Sequence, residues 1–226
     1  MSSETSILVE ACVESVASSI AAERGGAQRL ELCDTLFNGG TTPSAPMIAA
    51  CKAAVSIPVY VMIRPRGGEF VYSDDERDVM RGDISVAREL GADGIVTGGL
   101  LHDGTIDLEL VKYLVGAAQD MPVTFHRAFD STPNLELSLD SLADAGVSRV
   151  LTSGGAPTAA EGATVLADLV RRAGSRLIIM AGGAIRENNV RDVVKTSGVR
   201  EVHRRLTDEE DMRSFVRTVS ALTDVR

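Results

Sequence analysis

The chain has 226 residues, with 23 Lys plus Arg against 32 Asp plus Glu, for a formal net charge of −9. Hydrophobic residues make up 44% and aromatic residues only 4%, which suits a globular protein with a large core and excludes the clustered cations and stacking platforms of a nucleic-acid binder. No stretch reaches the roughly 18 apolar residues that a membrane helix needs, so no membrane span is expected.

The opening segment MSSETSILVE has no basic stretch ahead of an apolar run. No secretory signal is expected there, and the compartment read from the sequence is the cytoplasm. Eight strand candidates follow in chain order: Ser6–Val13, Arg29–Asp34, Val59–Arg64, Gly94–Gly98, Val123–Arg127, Arg149–Gly154, Leu177–Gly182 and Glu201–His203. Amphipathic, helix-like stretches lie between them. Gly26, Gly91, Gly146 and Gly198 each stop one, because glycine takes the left-handed C-cap conformation without Cβ strain. Pro43 and Pro133 read as first-turn prolines. Ser73 with Glu76, Thr158 with Glu161 and Thr207 with Glu210 have capping-box spacing. The acidic runs at 74–78 and 208–211 then read as helix N-termini, where negative charge is favourable. Strict alternation of strand and helix, eight times over with no linker, predicts one (β/α)8 TIM barrel over residues 1–226. A doubly wound open sheet is the alternative, and no strand here reads as an edge.

Side chains alternate along a strand, so parity sorts inward from outward groups. Ile7, Val9, Ala11 and Val13 form an outer face, which sends Glu10 and Cys12 inward. The same reading places Glu31 and Cys33, then Tyr60, Met62 and Arg64, then Thr124 and His126, then Glu201 and His203 inside the barrel. Thr152-Ser153-Gly154 ends at the same rim. Burying so many polar groups is costly unless they pair or serve a ligand. The bland arrangement is a polar plug with Arg64 neutralising Glu10 and Glu31. Most of these residues lie near the C-terminal ends of their strands, the functional face of such barrels. Three cysteines, Cys12, Cys33 and Cys51, fit reduced thiols better than a disulfide framework. Cys51 reads as helix packing, and His102 as solvated.

Glu10-Ala11-Cys12, Glu31-Leu32-Cys33, Gly39-Gly40-Thr41-Thr42-Pro43-Ser44, Ile63-Arg64-Pro65-Arg66-Gly67-Gly68, Tyr72-Ser73-Asp74, Thr124-Phe125-His126-Arg127-Ala128-Phe129-Asp130 and Leu151-Thr152-Ser153-Gly154 together closely resemble the CutC copper homeostasis family. The resemblance extends to about His203. It implies a TIM barrel, a cytoplasmic location, a homo-oligomer (dimer or tetramer) and copper handling. The family's thiols for Cu(I) fall on Cys12 and Cys33, and its rim on Glu10, Glu31, Arg64, Arg66, His126, Asp130 and Ser153. The chain departs from the pattern in three places. Asn38 precedes Gly39-Gly40 where the family has Glu, Ala184 stands where Gly is usual, and Arg204-Arg205 follow His203.

Two chemistries are expected from these residues. Cu(I) is soft and prefers thiolates, so Cys12 and Cys33 on neighbouring strands are the metal candidates. Alternatively the barrel is an enzyme, of lyase or isomerase type, acting on a small anionic metabolite, phosphorylated or not. Arg64 and Arg66 would clamp the anion, with Pro65 fixing the direction of Arg64. His126, beside Glu31 or Glu10, would move a proton. Gly182 and Gly183, ahead of a helix beginning near Glu187, resemble a phosphate site after the seventh strand. Asp130, Ser153 and His203 complete the ligand-binding set.

Overall fold

Short apolar runs, each bounded by a Gly, Pro or polar stop, close into a parallel barrel in a computed structural model of the chain, which describes residues 6–206 and 208–222. In chain order the elements are β1 (Leu8–Val13), α1 (Val16–Arg24), β2 (Arg29–Leu32), α2 (Ala45–Ala54), β3 (Val59–Met62), α3 (Asp74–Glu89), β4 (Gly94–Thr97) and α4 (Leu108–Ala118). They continue with β5 (Val123–Phe125), α5 (Leu135–Asp144), β6 (Arg149–Thr152), α6 (Ala163–Ala173), β7 (Ile178–Ala181), α7 (Val190–Ser197), β8 (Glu201–Arg205) and α8 (Glu209–Ser220). All eight predicted strands are present. Each strand pairs in parallel with the next, and β1 closes on β8 with Glu10 opposite His203 and Cys12 opposite Arg205.

The outward faces behave as parity predicts. Val9, Ala11, Leu30, Leu32, Val61 and Phe125 are all buried in one apolar layer with Ile48, Met80, Leu110, Leu166 and Phe215 from the helices. Each large side chain buried there contributes about 1.5–3 kcal/mol, and this layer holds the ring of helices on the barrel.

Helix stops are better anticipated than helix starts. Gly26, Gly91, Gly146 and Gly198 all have positive φ. Ser73 and Glu76 form a reciprocal capping box at α3. Elsewhere the start lies downstream of the expected signal. Pro43 precedes the true cap, Ser44, and Pro46 sits in the first turn of α2. Pro133 precedes the Asn134 cap of α5. Thr158 caps a turn rather than α6, which starts after Gly162. Thr207 lies outside the described residues, and Asp208 caps α8 through the Asp211 amide. At α2, α5 and α8 a short polar side chain with extended backbone just before the helix does the capping, whereas Gly162 before α6 supplies none.

Candidate functional site

The barrel interior is layered. In the lowest layer Glu201 accepts from Arg29 Nη2 at 2.5 Å and from Arg149 Nε at 2.5 Å and Nη2 at 3.0 Å. Arg29 Nε also donates to Glu10. Both guanidiniums face the Tyr60 ring, at 5.0 and 5.5 Å from its centroid. Two guanidiniums therefore meet two carboxylates, and the charges balance inside an apolar shell. Arg29, not Arg64, is the partner of Glu10. Burial would push the Glu10 carboxyl up, but Arg29 and His203 outweigh it and hold it at about 2.

The next layer holds the sulfur groups. Cys12 Sγ and Cys33 Sγ are 3.9 Å apart, and Cys33 Sγ is 3.6 Å from Glu31 Oε2. His203 Nδ1 lies 2.9 Å from Glu10 Oε1, and its Nε2 lies 3.6 Å from Glu31 Oε2. Met62 packs beside both thiols. Cys12, Glu31 and Cys33 bring ligand atoms within 4.8 Å of one another, as do Glu10, Glu31 and His203. Burial opposes charging of His203, yet Glu31, the bond to Cys12 and Glu10 prevail and hold its pKa well above the ordinary imidazole value. Burial raises the Glu31 carboxyl. The Cys12 thiol is pushed up by its hydrogen bond to Cys33, by burial and by Glu31. For Cys33 the bond to Cys12 pulls down, but burial and Glu31 carry the thiol to about 11.

The histidine beside the carboxylates is thus His203, not His126. His126 sits near the barrel mouth, its ring centroid 4.9 Å from that of Phe70, and its Nδ1 accepts from the Ala128 amide. Burial and Arg64 push its pKa down to about 3, so it is neutral.

The expected Arg64–Arg66 clamp does not form. Arg64 turns into the loops and donates to the carbonyls of Asn38, Gly40 and Gly68. Arg66 is half-exposed, pairs with Glu76, and donates to the carbonyls of Glu69 and Val71. Asp130 is spent inside the protein, accepting from Thr152 Oγ1 at 2.5 Å, the Ser153 and Gly155 amides, and Arg127 Nε. Ser153 Oγ joins Arg127 and Asp130. Gly182 and Gly183 follow β7, but α7 starts at Val190 rather than near Glu187, so no helix N-terminus directly follows the pair. Arg29 and Arg149 were absent from the sequence-based candidates. Their parity matches Glu31 and Ser153 on the same strands, and parity carried to the first residue of β2 and β6 finds both.

The pattern of the CutC family matches residues 7–207. The chain belongs to the CutC family. A mouse relative described as a copper homeostasis protein cutC homolog is 48% identical over 196 residues, covering 87% of this chain and 72% of the relative. The CutC family protein of Chromobacterium violaceum is 46% identical over 196 residues, covering 87% and 79%. The crystal structure of CutC from Streptococcus agalactiae superposes with a TM-score of 0.84 at 37% identity, covering 87% of this chain and 97% of that one. Ala184 is held at φ 53°, the left-handed region that glycine fills without strain. Arg204 pairs with Asp211 and lies over the Phe215 ring, tying the end of β8 to α8. No helix among the described residues is long and apolar enough to cross a membrane.

Proposed function

We propose that this CutC-family chain works in copper homeostasis by holding Cu(I) between Cys12 and Cys33. The observation that supports it most is the buried thiol pair, 3.9 Å apart and walled by Met62. Cu(I) is soft and selects thiolates over oxygen donors. An ion about 2.3 Å from each sulfur, the distance sulfur takes to zinc, needs about 4.6 Å between sulfurs for a linear arrangement. The shorter observed separation favours a bent one with room for a third donor, and Glu31 Oε2 stands beside Cys33. Two thiolates on one monovalent ion leave one negative charge, which the charged His203 offsets. Relatives described as copper homeostasis proteins support the same reading.

The test is Cu(I) titration under reducing conditions against a competing chelator. Tight one-to-one binding is expected in the wild type and in Cys51→Ser, whose thiol, on α2, accepts from Ser19 of α1. Loss of that binding is expected in Cys12→Ser and in Cys33→Ser. Full retention in both of the latter refutes the reading. We further infer a cytoplasmic homo-oligomer, a dimer or tetramer, as the family resemblance implies. Light scattering on the purified protein checks the assembly, and fractionation the compartment.

A further inference from the structure

Four buried side-chain polar atoms among the described residues lack a hydrogen-bond partner, and three of them lie at the barrel mouth, apart from the sulfur layer. They are Arg64 Nε, Tyr72 Oη and His126 Nε2. Phe70 walls two of them, Arg64 and His126. The Arg64 guanidinium carbon is 4.8 Å from its ring centroid and the His126 ring 4.9 Å. Tyr72, two residues along, lies in the field of Arg64.

The chemistry of the three atoms is one-sided. Arg64 Nε carries a hydrogen at all times. His126 accepts on Nδ1 from the Ala128 amide, so the hydrogen of the neutral ring is on Nε2. Tyr72 offers a hydroxyl. Arg64 Nε and His126 Nε2 can only donate, while the Tyr72 hydroxyl, within reach of Arg64, can accept from it and donate onward; a buried donor left unmatched costs about 1–3 kcal/mol. Arg64 is 4% exposed, and its ends bind only neutral carbonyls. Among the described residues no carboxylate pairs with it, so one buried positive charge stands uncompensated. The loops are shaped to hold it there. Gly39, Gly40 and Gly68 all have positive φ, and a Cβ on Gly39 would come within 3.1 Å of Arg64 Nη1.

We propose that Arg64, Tyr72 and His126 form a binding site for a small carboxylate, with Phe70 against its carbon skeleton. A carboxylate accepts at two oxygens with several lone pairs, which matches three donors. Its single negative charge balances the single guanidinium. A phosphate dianion would leave a net buried charge, so the site selects the monoanion. The carbonyl cradle comes in part from the exposed residues Asn38 and Gly68, which brings the site close to solvent. The site is separate from Cys12 and Cys33, and its failure would leave the copper reading standing.

The experiment uses acetate as the probe, at constant ionic strength with chloride as the balancing anion. Arginine Nε–H signals are followed by NMR, and the Arg64 signal is assigned by its loss in Arg64→Lys. A saturable shift of that signal with acetate is expected in the wild type. Tyr72→Phe removes one donor without changing the ring. It is expected to weaken acetate about tenfold, as one charge-assisted hydrogen bond requires. Three results would each overturn the proposal: no saturable shift, unchanged acetate affinity in Tyr72→Phe, or tighter binding of phosphate than of acetate.

Discussion

Replacing Arg29 with Met keeps the length of the side chain and removes the charge at the centre of the interior network. Arg29 donates to both Glu10 and Glu201 and lies over Tyr60. Breaking one side of a buried pair costs about 3–5 kcal/mol, because the orphaned charge stays in a low-dielectric site. The depressed Glu10 carboxyl gives a second figure. Glu10 is held at about 2 in the folded chain against an ordinary 4.5. Each unit of that difference corresponds to about 1.4 kcal/mol, so the carboxylate contributes about 3 kcal/mol. A depressed folded pKa means that this contribution is fully present above the ordinary value and is lost as pH falls from 4.5 towards 2. Urea unfolding at neutral pH should therefore show Arg29→Met weakened by about 3–5 kcal/mol, with a melting temperature lower by roughly 6–20 °C for a chain of this size. The variant should also lose less stability than wild type on acidification across that window, since its Glu10 is no longer held down. A loss under about 1 kcal/mol, or identical acid profiles, would refute the assignment of Arg29 as the counter-charge.

In Gly94→Ala the new Cβ would come within 2.7 Å of the Tyr60 ring, which Arg29 and Arg149 hold in place. A loss of about 1–3 kcal/mol in chemical denaturation is expected. Ala184→Gly relieves a left-handed alanine at φ 53°. The relief of about 1–2 kcal/mol exceeds the added chain entropy of glycine, so calorimetry should show a gain of up to about 1 kcal/mol. Apparent Cu(I) affinity should rise with pH up to about 11, where Cys33 titrates, because binding displaces thiol protons. Chelator competition at several pH values should show about a tenfold gain per pH unit for each proton displaced, and a flat profile would argue against thiolate ligation.

The barrel was readable from the sequence because two periodicities change over at fixed chemical stops. Strand parity then placed Glu10, Cys12, Glu31, Cys33 and His203 in one chamber, where the structure has them. Pairings within the chamber were not readable. Parity gives the side of a strand but not the height around a staggered barrel. His126 therefore looked close to Glu31, whereas it sits higher, against Phe70 and under the influence of Arg64. Arg64 looked like an ion-pair partner because its contacts to backbone carbonyls depend on three left-handed glycines whose loop path no local pattern reveals. Helix starts slipped because several residues at each loop have capping side chains, and only the backbone dihedrals select among them.

The seam between β1 and β8 sets a timetable for synthesis. Glu10 and Cys12 leave the ribosome well before His203, which pairs with Glu10 across the seam and comes almost two hundred residues later. Until that last strand docks, the thiol pair stands at an open sheet edge with its imidazolium missing. A nascent chain should therefore enclose its thiol pair only after residue 205 has emerged, and a chain released before residue 201 should expose sulfur that the finished barrel keeps buried.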